Sequence, residues 1–146
     1  MIIAYTDTFS GISGDMFLGA LIDAGLPLAA LTDELTALPL AGYEITAGKT
    51  EENGISATRV NIIVSHDHHH RSWGTIQQLL RESGLRERIK QNALDIFRNL
   101  AEAEAKVHGC AADDVHFHEV GAVDAIVDII GAAIGIDYFG IDHLIS

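Results

Sequence analysis

Six of the eight histidines in this 146-residue chain lie in two short runs, each beside an acid. Ser65–His70 reads S-H-D-H-H-H, and His116-Phe117-His118-Glu119 follows in the second half of the chain. Imidazole is a ligand for zinc, copper, iron and nickel, while carboxylates add charge and suit harder ions. In an extended backbone His66, His68 and His70 project to one face and His69 to the other. Three imidazoles on one side suffice for a borderline divalent ion; the plain alternative is a solvated polar loop. Four histidines in five positions are hard to explain by solubility alone, so metal binding is the reading adopted.

The second run continues as Val120-Gly121-Ala122-Val123-Asp124. If it is extended, His116 and His118 share a face while Phe117 enters the core. Asp124 and Asp128, four apart, fall on one stripe of the helix that follows. Acids on such an apolar helix are costly unless a cation or donor meets them. The alternative is a helix-start acid flanked by surface histidines.

A third candidate is the turn Asp7-Thr8-Phe9-Ser10-Gly11-Ile12-Ser13-Gly14-Asp15. A strand ending in a Gly/Ser turn that opens a helix surrounds a small concavity with free backbone N–H groups and hydroxyls. Such a place holds phosphate or carboxylate. Asp7 and Asp15 repel a bare anion but welcome a cation that bridges to one. The alternative is a tight turn with Ser13 as helix cap. Elsewhere, His108 reads as a favourable charge at a helix C-terminus, Trp73 as packing, and Cys110 as a small apolar residue.

Around these candidates the expected elements form one mixed α/β (α+β) domain, a small sheet with a β-hairpin packed against several helices. Ile2–Tyr5 reads as a short buried strand, followed by a helix through about Ala24 and a second over Leu28–Leu38 opened by Pro27. Tyr43–Lys49 and Ile55–Val64 alternate apolar and polar, which predicts a hairpin with a loop somewhat longer than two residues. Ser72 begins a helix broken at Gly84, and Leu85–His108 is a long amphipathic helix capped by Gly109, with Ile89, Ala93, Ile96, Phe97, Leu100, Ala101, Ala105 and His108 recurring at three and four. Val115–Glu119 is extended, Ala122–Phe139 is a buried helix, and His143–Ser146 begins a strand at the end of the chain. The expectation is therefore a domain cut from a longer protein.

Composition narrows the function. Apolar residues make up 48%, and 21 acids against 9 bases give a formal charge of −12. That argues against nucleic-acid and membrane-surface partners and favours cations. One cysteine permits neither an internal disulfide nor a Cys-rich zinc site. With no signal-peptide pattern at the start and with Asp124, Asp128 and Asp137 interrupting the most apolar stretch, the expected location is the cytoplasm.

With these residues laid out, the chain resembles the LarC family of nickel insertion proteins over its whole length. The resemblance rests on the Asp7–Met16 turn, the His66–Arg71 run, Ala101-Glu102-Ala103-Glu104-Ala105-Lys106-Val107-His108-Gly109, and Val115–Asp124, the most specific block. It implies insertion of nickel into pyridinium-3,5-bisthiocarboxylic acid mononucleotide, forming two Ni–S bonds and one Ni–C bond, with CTP consumed and Mg²⁺ or Mn²⁺ required. The product belongs to the nickel-pincer cofactor of lactate racemase and its relatives. CTP is expected mainly in a C-terminal part beyond this chain, with that part, or self-association, as a protein partner. On this reading Ser10, Gly11, Ser13 and Gly14 seat the substrate phosphate. Metal ligands come from His66, His68, His69, His70, His116, His118, Asp7, Asp15 and Asp124. One of His116, His118 or Glu119 accepts the ring proton lost as the Ni–C bond forms. Two rivals stand beside it, a non-catalytic nickel storage or delivery module and a metal-dependent hydrolase of phosphorylated substrates.

Overall fold

The computed structural model describes residues 1–65, 71–117 and 120–146. In chain order the elements are β1 (Ile3–Tyr5), α1 (Gly14–Asp23), α2 (Leu28–Leu35), β2 (Tyr43–Glu52), β3 (Ile55–Val64), β4 (Arg71–Ser72), α3 (Trp73–Glu82), α4 (Glu87–His108), β5 (His116–Phe117), α5 (Val123–Tyr138) and β6 (His143–Ile145). The mixed α/β class is as expected. The strands form three two-stranded pairs: parallel β1–β6, antiparallel β2–β3 and antiparallel β4–β5.

α5 is the central element, apolar on nearly every side, with Val123, Ile126, Val127, Ile130, Ala133 and Ile134 buried. A helix hydrophobic all round must be packed all round. α1 crosses it where α5 has no side chains: a Cβ on Gly131 would lie 2.9 Å from Leu18, and one on Gly135 would lie 2.5 Å from Leu21. α1 then rests its other face on β3, so it is held between the hairpin and α5.

α4 contributes Ile89, Ala93, Phe97, Ala101 and Ala105, all buried and four apart, as its sequence period requires. Phe97 and Phe117 are both fully buried, with ring centroids 6.3 Å apart and tilted by 52°. Each such burial contributes about 2–3 kcal/mol. α4 ends at Gly109, whose φ of 66° is the left-handed conformation that closes a helix. Ser72 caps α3 by accepting from the Thr75 N–H at 3.2 Å, and Trp73 is packing, as expected, at 2% exposure.

Four local expectations change. β1 is not buried: Ile3 is 54% and Tyr5 71% exposed, and among the described residues β6 is the one strand it pairs with. The hairpin loop is two residues long, with Glu52 opposite Ile55. Asn53 (φ 52°) and Gly54 (φ 79°) both take the positive angles of a tight hairpin turn, which lets the strands run further than the alternation suggested. Cys110, expected as a small apolar residue, is exposed. His108 lies off the buried face of α4 and pairs with Glu104 at 3.2 Å. Among the described residues no helix is long and apolar enough to cross a membrane.

Candidate functional site

Two of the motif blocks meet at one place. The first turn of α1 supplies Asp15, the first turns of α5 supply Asp124 and Asp128, and the middle of β3 supplies Val60, Asn61 and Ile62. Together they line a cleft of about 370 Å³. Asp124 and Asp128 are one helical turn apart and so share a face. Asp15 is fixed by its own turn: the Ser13 hydroxyl donates to its Oδ1, and the Met16 N–H donates to the same oxygen at 2.9 Å. Ser13 thus occupies the cap position of α1 but gives its hydroxyl to Asp15 instead of capping the helix. The close fit between the two blocks depends on Gly14, where a Cβ would come within 2.6 Å of Asp128 Cβ and Cγ.

The electrostatics of the cleft are one-sided. Among the described residues its three ionisable side chains are all carboxylates, and none of its described lining residues is basic. Asp128 Oδ1 is sealed from solvent and accepts no hydrogen bond among the described residues. Burial, with the charges of Asp15 and Asp124 in support, pushes the Asp128 carboxyl up to about 6 from 3.8. A buried oxygen with no donor, facing two other acids, is a deficit of positive charge. Oxygen donors of this kind suit a hard divalent cation. Among the described residues, however, no three His, Cys, Asp or Glu side chains are grouped closely enough to hold a metal ion by themselves.

The other expected residues distribute as follows. Ser10, Gly11 and Ser13 are exposed on the turn ahead of α1 and are not among the described cleft residues. Asp7 is exposed and is not among the cleft residues. His116 is exposed on β5, opposite Ser72. His66, His68, His69, His70, His118 and Glu119 lie outside the described residues. Their described neighbours are nonetheless informative. Arg71, which follows the first run, is the cross-strand partner of Phe117, which stands inside the second. The β4–β5 pair is locked by Gly121, where a Cβ would sit 2.8 Å from the Arg71 nitrogen and 2.9 Å from the Phe117 oxygen. Arg71 Nη1 also donates to the Gly121 carbonyl at 2.9 Å.

Two polar cleft residues, Asp128 and Asn61, fell outside the expected site. Asp128 carried a signal, an acid mid-helix among Ile126, Val127, Ile129 and Ile130 that needs a cation or donor, but of the two acids on that stripe only Asp124 was counted as a ligand. Asn61 carried none, being one polar residue on an alternating strand.

The family model described as "Nickel insertion protein" matches residues 4–146. The chain is 48% identical over 145 residues to the "Putative nickel insertion protein" of Syntrophotalea carbinolica, covering 99% of this chain and 37% of that protein. It is 50% identical over 143 residues to the protein of the same name from Geobacter sp., covering 97% and 37%. It is 47% identical over 156 residues to the "Pyridinium-3,5-bisthiocarboxylic acid mononucleotide nickel insertion protein" of Geobacillus kaustophilus, covering 100% and 38%. The chain therefore spans less than two fifths of the length of these relatives. No solved structure matches it.

Proposed function

The chain belongs to the nickel insertion protein family, and on that premise we propose that it supplies metal and substrate-phosphate sites for inserting nickel into pyridinium-3,5-bisthiocarboxylic acid mononucleotide. The observation that carries this reading is the cleft, where Asp15 at the end of the Gly/Ser turn and the acids of α5 meet around an oxygen that has no partner among the described residues. Asp15, Asp124 and Asp128 would hold Mg²⁺ or Mn²⁺, with Asp7 at the outer lip of the turn. When bound, such an ion supplies positive charge and a bridge to phosphate. Ser10, Gly11, Ser13 and Gly14 seat that phosphate. The Asp15 carboxylate held at the start of α1 disfavours an anion arriving without its cation.

Nickel is the second substrate. His66, His68, His69, His70, His116 and His118 hold it, and nitrogen ligands are readily exchanged for the mononucleotide's softer sulfurs. The pairing of Arg71 with Phe117 joins the described residues next to the two histidine runs, which supports a shared nickel site. As the nickel–carbon bond forms, the ring carbon loses its proton to His116, His118 or Glu119, since neutral imidazole and carboxylate are the ordinary bases near neutral pH. CTP consumption, a lyase-type reaction, delivery to the lactate racemase cofactor and a cytoplasmic setting complete the proposal. The nucleotide is assigned to the additional polypeptide of the longer relatives.

The test uses a hybrid, this chain continued by the remaining part of the Syntrophotalea carbinolica relative. Supplied with Ni²⁺, Mg²⁺, CTP and the mononucleotide, the hybrid should form the nickel product seen by mass spectrometry. Asp128→Asn and His116→Ala should each lower its yield about tenfold or more. Nickel bound without product, and unaffected by Asp128→Asn, would contradict the proposal and favour the storage and delivery reading.

A further inference from the structure

The β1–β6 pair is unlike the rest of the molecule. Parallel sheets are normally covered on both faces and contain more than two strands, because their crossover connections place helices over them. Here Tyr5 is 71%, Leu144 48% and Ile145 49% exposed. The hydrogen bonds define which edge is open. His143 N–H donates to the Ile2 carbonyl at 3.3 Å, and the Ile145 carbonyl accepts from Thr6 N–H at 2.8 Å. Alternation along a strand then turns the N–H and C=O of Leu144 away from β1, toward an edge that no strand occupies among the described residues. His143–Ile145 carries none of the usual protections of an open edge, such as proline, lysine or a bulge.

Beside β6 runs a groove of about 580 Å³ between this strand, α4 and the end of α5. Ile96, Ile136 and Leu144 give it apolar walls, and Asn92 and Asn99, seven apart on α4, place two side-chain amides along it. Amides of that kind can meet the backbone groups of an extended chain. The occupant is indicated by length: these residues correspond to 37% of the Syntrophotalea carbinolica protein, so most of a family member lies elsewhere in its chain.

We propose that the open edge of β6, with its groove against α4, receives a β-strand from the additional polypeptide of the longer family proteins, extending the β1–β6 pair. A right-handed crossover brings such a strand in parallel to β6. Main-chain bonds to Leu144 then give affinity, and the apolar walls give register. This proposal does not depend on the metal reading.

The experiment compares backbone amide hydrogen exchange at Leu144 in this chain and in the hybrid, each at two protein concentrations. The Leu144 amide is expected to exchange at least about tenfold more slowly in the hybrid, at both concentrations. Equal exchange in the two proteins overturns the proposal. So does protection in the short chain that rises with concentration, because a second copy then takes the edge. Leu144→Pro, which removes the N–H, should lower the hybrid's thermal midpoint more than that of the short chain; an equal loss in both also overturns it.

Discussion

Helix α5 carries Asp128 near its first turns and Asp137 near its end, and their surroundings are opposite. Asp137 is 8% exposed, with Arg86 Nη1 at 2.6 Å from one carboxylate oxygen and Arg88 Nε at 3.7 Å from the other. Arg86 also reaches Glu34 on α2 at 2.8 Å, so this acid ties α2, α4 and α5 together. Among the described residues Asp128 has no cation and leaves one oxygen unpartnered, with Asp15 and Asp124 beside it. The same residue type on one helix is thus satisfied at one end and left in deficit at the other. A carboxylate surrounded by guanidinium groups serves the fold. One surrounded by carboxylates costs stability in the absence of a ligand, which is the usual mark of a functional site.

Removing each acid should therefore move stability in opposite directions. Asp137→Ala is the largest effect: it removes the buried carboxylate that pairs with Arg86 and Arg88 at a helix junction and should cost about 2–3 kcal/mol, read from the midpoint of denaturant unfolding. Gly14→Ala comes next. The added methyl meets Asp128 Cβ and Cγ, and the displaced start of α1 should cost about 1–2 kcal/mol. If this substitution were neutral, the two blocks would not be in the contact described.

Asp128→Asn should instead stabilise the chain without metal. Because the Asp128 carboxyl is raised to about 6, the folded state binds more protons than the unfolded state between about pH 4 and 6, and stability falls as pH rises through that window. The asparagine variant lacks this loss. Asp128 is only partly buried, and after discounting for solvent screening the gain is about 1 kcal/mol near pH 7.5, vanishing near pH 4. Thermal unfolding across pH measures both limits.

The smallest effect belongs to Asp23, which ties α1 to the hairpin. The Lys49 ammonium and the Thr58 hydroxyl donate to it and, with the Thr58 N–H at 3.0 Å, hold its carboxyl below 3.8. Its contribution has the opposite sign, present at neutral pH and lost as pH falls through the lowered value. Asp23→Asn should give a slight loss at neutral pH that disappears in acid.

Much of this contrast was legible in the sequence, and the exceptions have physical causes. The period of α4 named its buried face because packing there is along one helix and repeats every turn. Asp124 and Asp128 could be placed on one stripe for the same reason. Joining that stripe to Asp15 required knowing that α1 lies on α5, which Gly131 and Gly135 permit without announcing it. The depth of β1 was misjudged because an apolar run records what must be covered and not which polypeptide covers it. The hairpin was expected but its loop was taken as too long, because the alternation of Tyr43–Lys49 stops short of Asn53 and Gly54, which close a two-residue turn. Arg86 and Arg88 gave no hint of Asp137, since the partners are far apart in the chain.

Mn²⁺ binding to the native chain and to Asp128→Asn, followed by calorimetry at about pH 5 and about pH 7.5, tests the central claim most directly. The account predicts one site on the native chain, tighter at the higher pH because a proton no longer has to leave Asp128, and lost in the variant. Equal binding by both proteins at both pH values would contradict it, and the cleft would then be an acidic surface with no part in handling metal.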